Sequence, residues 1–217
     1  DRFEKDFLVY APFPTKMGIL KDVRKFVTFS YPIQAYAVYQ NGNLIKWGPT
    51  SMGKKSAQTK RGLMFTNWKQ VLSISTVNKN WKLPYNFNIH NSLGIGWHQY
   101  DLPAHPASHS CLRLLMEDAK WLYDFGDQWI LDKGGKHQIA KGTPVLVFGD
   151  YRWGGQKPWK LLSKNPEATY YTEDQLNKEI EPFLPKIMEE QSNRDRVRAA
   201  VQRQKTIEES EAAIQNQ

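Results

Sequence analysis

Residues 106–114 read PASHSCLRL, and Cys111 within them is the single cysteine of a 217-residue chain. No disulfide can form inside the chain, and metal sites built on cysteine pairs are excluded. Free cysteines are commonly small buried packing residues, so this thiol reads either as core or as a nucleophile. A nucleophile needs a base for its proton and N–H donors for the oxyanion that forms on attack. Ser110 is small and suits a tight turn, on which the N–H of Cys111 and that of a neighbour can face one point. Arg113 offers a planar fork that pairs with a carboxylate.

Five histidines compete for the role of base. His90 lies 21 residues before Cys111 and His98 lies 13 before it. His90 is preferred, because it ends an alternating apolar–polar strand, 85–90, where a base is held rigidly. His98 follows Trp97 in a stretch that opens with two glycines, Gly94 and Gly96, and reads as a loop. His109 borders the nucleophile and either orients the turn or takes part in the chemistry. His105, flanked by prolines, and His137, within KGGKH at 133–137, read as surface residues. A nearby imidazole and the N–H groups of the turn are expected to make the thiol more acidic than a free cysteine, near ~8.5.

Outward from the site, the first half of the chain reads as β. Residues 26–39 are rich in β-branched and aromatic types and are broken at Pro32. Asn41-Gly42 between 37–40 and 43–47 is the strongest short-range hairpin signal, since both turn residues need positive φ. Residues 48–62 read as a polar loop, and 63–76 resume strand character. After the cysteine, Leu115, Ala119, Leu122 and Phe125 recur at helical spacing, with Gly126 as the stop. Residues 142–148 read as a closing strand. From Thr172 the composition shifts, and Pro182 and Pro185 interrupt one helical stretch. From 191 to 217 the apolar stripe (Val197, Val201, Ile207, Ile214) is too thin to bury much surface. That tail reads as a polar helical or flexible extension, or as an arm for an envelope protein partner.

The formal charge of +8 invites a nucleic-acid reading. The cations are scattered, however, and no helix-turn-helix, zinc-ligand pair or aromatic RNA-binding signature accompanies them. No nucleic-acid partner is expected; an anionic envelope surface is as natural a use of the charge. No run approaches the ~18 apolar residues of a membrane span. The opening residues, DRFEK, do not read as a signal peptide.

Two runs, NIHNS at 88–92 and PASHSCLRL at 106–114, resemble the catalytic motif of the L,D-transpeptidase (YkuD-type) domain. That motif is an Ile-His-Gly-like strand end, a variable loop, then Ser-His-Gly-Cys, an apolar residue and Arg or Asn. Upstream, YQNGNLI at 39–45 resembles the first hairpin of the family. SMGK at 51–54 through TKRG at 59–62 resembles the loop that follows it. Ser110 stands where the family has glycine, as does Asn91, and Lys60 stands where it has proline. The resemblance runs from about residue 26 to 150. It implies a mostly β (α+β) fold, a β-sandwich or barrel with a helix after the nucleophile and a helical C-terminal extension. The expected organisation is an N-terminal segment 1–25, a catalytic domain 26–150, a region 151–190 packed on it, and the tail 191–217.

The resemblance further implies catalysis by Cys111, His90 and His109, with Ser108, Ser110 and Arg113 binding substrate. The thiolate would attack a tetrapeptide donor stem of peptidoglycan, release D-Ala and pass the acyl group to an acceptor amine. No cofactor and no metal is implied, β-lactams of the carbapenem class would be inhibitors, and the cell envelope, periplasmic or otherwise extracytoplasmic, would be the location. Two other readings stand beside this one. The same fold can use water as acceptor, as a hydrolase or amidase, or can serve as a peptidoglycan-binding module without catalysis. An accessible, titratable thiol separates the last from an enzyme.

Overall fold

The computed structural model describes residues 8–75 and 77–215, the last four by backbone alone. The charged start of the chain, Thr76 at the end of the 63–76 strand reading, the side chain of Ile214 and the last two residues of the tail lie outside the described residues. The strands are β1 (Phe26–Ser30), β2 (Ala35–Gln40), β3 (Asn43–Pro49), β4 (Gly62–Phe65), β5 (Lys69–Ile74) and β6 (Lys82–His90). They continue with β7 (Ile95–Gln99), β8 (Leu112–Leu114), β9 (Ile130–Leu131), β10 (Gln138–Ala140) and β11 (Pro144–Phe148). The helices are α1 (Met116–Phe125), α2 (Glu173–Ile180) and α3 (Leu184–Gln215).

Two sheets pack face to face. One has the order β3-β2-β1-β11-β4 and the other β5-β6-β7-β8, with β9 and β10 forming a small ribbon. Asn41 and Gly42 have φ of 48° and 74°, so the β2–β3 hairpin turns as its Asn-Gly predicts. Alternation places Val27 and Phe29 of the first sheet against Phe87 and Trp97 of the second in one buried cluster. The Phe29 and Trp97 ring centroids are 6.2 Å apart, and Phe87 meets Trp97 edge-on at 5.0 Å. The architecture is therefore the mostly β sandwich expected, with α1 following β8 and helices at the C-terminal end.

The outer face of the first sheet is covered by chain from both ends. Ala11, Phe13, Met17 and Leu20 join Phe26, Tyr39 and Phe148 there, together with Leu176, Ile180 and Ile187. Thr172 starts α2 with a reciprocal capping box to Gln175. A short 3-10 turn over Glu181–Phe183 separates α2 from α3, at the position of Pro182.

Three sequence readings need correcting. First, 63–76 is two strands in two sheets, β4 and β5, broken at 66–68. Second, 95–99 is an inner strand rather than loop. Its two glycines disguised it, yet Gly96 is there because a Cβ would come within 2.5 Å of the Phe87 carbonyl on β6. Third, the tail boundary at 191 falls inside one continuous helix. Arg194 is 8% exposed and donates to the carbonyls of Gln128 and Lys141 at 2.8 and 2.7 Å. Asp195 pairs with both terminal nitrogens of Arg24, and Gln191 bonds the backbone of Asp22 and Arg24. The anchor is polar, so a search for an apolar stripe does not see it. Among the described residues no helix is long and apolar enough to cross a membrane.

Candidate active site

Strand β7 lies between β6 and β8, and it runs parallel to β8 with Trp97 opposite Leu112 and His98 opposite Arg113. Side chains alternate along a strand. Trp97 points into the sandwich, while Gly96 and His98 face the opposite way. Cys111 lies two positions before Arg113 and therefore shares that outer face, beside Gly96 and diagonal to His98. Both open into one cleft of about 180 Å³, lined also by Trp68, Trp81, Tyr100 and Ser110.

His98 is 4% exposed, and its Nδ1 is 2.9 Å from the Gln99 carbonyl. A carbonyl can only accept, so Nδ1 carries the proton and Nε2 presents a lone pair. Burial pulls the His98 pKa down to about 4, against the support of that bond and with Arg113 adding to the fall. Burial also pushes the Cys111 thiol up, opposed by the Gly96 backbone N–H and by Arg113. The expectation of an acidified thiol is thus reversed. Desolvation outweighs the cation and the N–H donor. Sγ approaches the Gly94 carbonyl at 4.0 Å.

His90 is not brought to Cys111. It is paired with Ile95, on the core-facing side of β7, beyond a register shift after Asn88. Its Nε2 accepts from Lys60 Nζ at 3.1 Å, and it lines a separate cavity with Asn67 and Trp129. Burial and Lys60 both lower its pKa. The choice of His90 over His98 followed from taking β7 as loop. With β7 in place, the strand-held histidine beside the thiol is His98.

The turn that carries Cys111 is held from behind. Ser110 has φ of 84°, the left-handed region that favours glycine. Its carbonyl accepts from Thr59 Oγ1 at 2.9 Å, and Thr59 Oγ1 in turn accepts from Gly53 N–H at 2.9 Å. Thr59 is 1% exposed. Tyr31 hydroxyl donates to the Gly53 carbonyl and receives the Thr59 N–H at 3.3 Å. Ser108 Oγ donates to the Cys111 carbonyl at 2.5 Å. Ser108, expected to contact substrate, is 2% exposed, lines the cleft and also braces the turn.

His109 is exposed at the rim, its Nε2 2.8 Å from Lys54 Nζ and its ring 5.0 Å from that of Trp81. It lines the same cleft as Cys111. Arg113 lies over the Tyr100 ring at 4.4 Å and its Nη1 is 3.4 Å from the Asp101 carbonyl. Its guanidinium faces the cleft, where a carboxylate can reach it. His105 is half-buried and His137 exposed. Lys54, Thr59, Trp81 and Tyr100 carried no sequence signal of their own, although Thr59 opens the TKRG stretch that marked the loop.

The L,D-transpeptidase catalytic domain family (YkuD) matches residues 24–147, more than half of the chain. The chain belongs to that family. A search of curated proteins returned no match. Among solved structures, an L,D-transpeptidase (Yku) from Stackebrandtia nassauensis is 27% identical with a TM-score of 0.48, covering 60% of this chain and 58% of that one. An L,D-transpeptidase from Mycobacterium tuberculosis H37Rv is 24% identical with a TM-score of 0.45, covering 58% of each chain. The LD transpeptidase LdtMt1, solved with imipenem, is 19% identical with a TM-score of 0.47, covering 58% of this chain and 59% of that one. This chain thus spans less than two thirds of the length of these relatives.

Proposed function

We propose that the chain is a peptidoglycan L,D-transpeptidase of the cell envelope, working on the extracytoplasmic side through Cys111 and His98. The observation that carries the reading is a thiol just before β8 and an imidazole on β7, oriented by the Gln99 carbonyl, opening into one cleft. Substrate binding excludes water, and the thiol proton passes to His98 Nε2 as sulfur bonds to the carbonyl carbon between residues three and four of a donor stem. The tetrahedral oxyanion is met by the Cys111 N–H and a neighbour on the turn. Collapse breaks the C–N bond, His98 returns the proton to the leaving amine, and D-Ala departs from a thioester. An acceptor amine then attacks the thioester, its proton moving through His98 back to sulfur. Arg113 is suited to hold a stem carboxylate in a bidentate fork. Carbapenems would acylate the same sulfur and stay.

Mass spectrometry of products from purified muropeptides tests this reading. Wild type should release D-Ala and form cross-linked or exchanged stems, and Cys111→Ala should fold and form none. Turnover by Cys111→Ala within a few-fold of wild type would sink the covalent mechanism. Release of D-Ala with water alone as acceptor would move the chain to the hydrolases of the same fold.

A further inference from the structure

Thr59 lies outside the cleft, yet it touches the one peptide unit that the chemistry needs oriented. The Ser110 carbonyl and the Cys111 N–H belong to the same planar trans peptide and point in opposite directions. Thr59 Oγ1 holds that carbonyl at 2.9 Å, on the buried side of the turn. The Cys111 N–H is thereby directed away from Thr59, toward the side on which Ser110 and Cys111 line the cleft. The hydroxyl is itself fixed. It accepts from Gly53 N–H at 2.9 Å, which leaves its single proton for the Ser110 carbonyl.

The need for a clamp follows from the residue before the nucleophile. A serine at φ of 84° is strained, and relaxing it would turn over the peptides on either side. Glycine at that position would tolerate the geometry unaided. Here the geometry is imposed from the neighbouring loop, through Thr59 and the Tyr31–Gly53 bond behind it.

We propose that Thr59 is a positioning residue that sets the oxyanion-binding N–H of Cys111 by clamping the Ser110 carbonyl. The proposal rests on the reading of Cys111 as an acyl-forming nucleophile. The test compares wild type, Thr59→Val and Thr59→Ser in two reactions of the same sulfur. Acylation by a carbapenem passes through an oxyanion; alkylation by iodoacetamide is a displacement at carbon and does not. Thr59→Val should slow the acylation step about 10–10²-fold, below the full loss of one oxyanion donor because the N–H is misdirected rather than removed. Carbapenem binding and the alkylation rate should both stay within about threefold of wild type, and Thr59→Ser should restore acylation to that range. Where Thr59→Val does not fold, Thr59→Ala, which is smaller, takes its place. Wild-type acylation by the valine variant would overturn the proposal alone. So would a parallel fall in alkylation, which would mean that Thr59 merely holds the cleft together. A wild-type protein that alkylates but never acylates would overturn the reading of the site, and this proposal with it.

Discussion

Replacing His98 should change how stability depends on pH, in a window the structure sets. The imidazole is 4% exposed and its pKa falls to about 4, whereas in the unfolded chain it titrates near ~6.5. Between those values the unfolded chain binds a proton that the folded protein refuses. The contribution is therefore fully present above the unfolded pKa and is lost as pH falls toward the folded one. A gap of that size corresponds to about 3 kcal/mol, at ~1.36 kcal/mol per unit. His98→Asn removes the titration while an amide can still donate to the Gln99 carbonyl. Urea unfolding from pH 7 to pH 4 is the assay. The stability of wild type should fall more than that of the variant, by about 3 kcal/mol over the window, with the steepest divergence midway. Parallel curves would refute the reasoning, because they would mean that His98 is hydrated and accessible to protons in the folded state.

The other predictions concern the same cleft and its supports. His98→Ala should lose acylation by both carbapenem and muropeptide, about 10²–10⁴-fold, while His90→Ala should lose little; stopped-flow fluorescence checks it, and the reverse order would restore His90 as the base. Ser110→Gly should be more stable than Ser110→Ala by about 1 kcal/mol in denaturant titrations, since only glycine relieves the left-handed strain; equal stabilities would mean that the strain is absent. A chain ending at residue 198 should melt like the full protein, because the Lys133–Glu208 pair is exposed and contributes little. Ending at 190 should lower stability by about 2–4 kcal/mol, since it removes Arg194 from two carbonyls.

What could be read from sequence divides along physical lines. The Asn-Gly hairpin, the helix after Cys111 and the closing strand at 144–148 each carry a local rule: two positive φ values, a 3.6-residue period, an apolar run after proline. The family itself was legible because the residues around Cys111 resemble its motif. The placement of His98 in the same cleft as Cys111 was not, because it depended on β7. Ile95-Gly96-Trp97-His98-Gln99 does alternate, but its glycine answers a contact with β6 that no window of sequence contains. The anchoring of α3 was hidden for a related reason. Arg194, Asp195 and Gln191 bind backbone and an arginine about 50 to 170 residues away, and nothing in their own helix announces it.

The parallel pairing of β1 with β11 bears on how the protein is made. In the first sheet β11 lies between β1 and β4, so β4 has no partner there until residues 144–148 exist. Hairpin β2–β3 can close early, but the sheet is completed only by joining segments more than a hundred residues apart. Such long-range pairing slows folding. A nascent chain shorter than about 150 residues would present two open strand edges and the apolar inner face of β1, the conditions that favour aggregation or chaperone capture. Residues 106–114 are synthesised well before that point, yet the sandwich behind the thiol is unfinished until it is passed. The thiol thus exists in the polypeptide some time before the cleft that surrounds it.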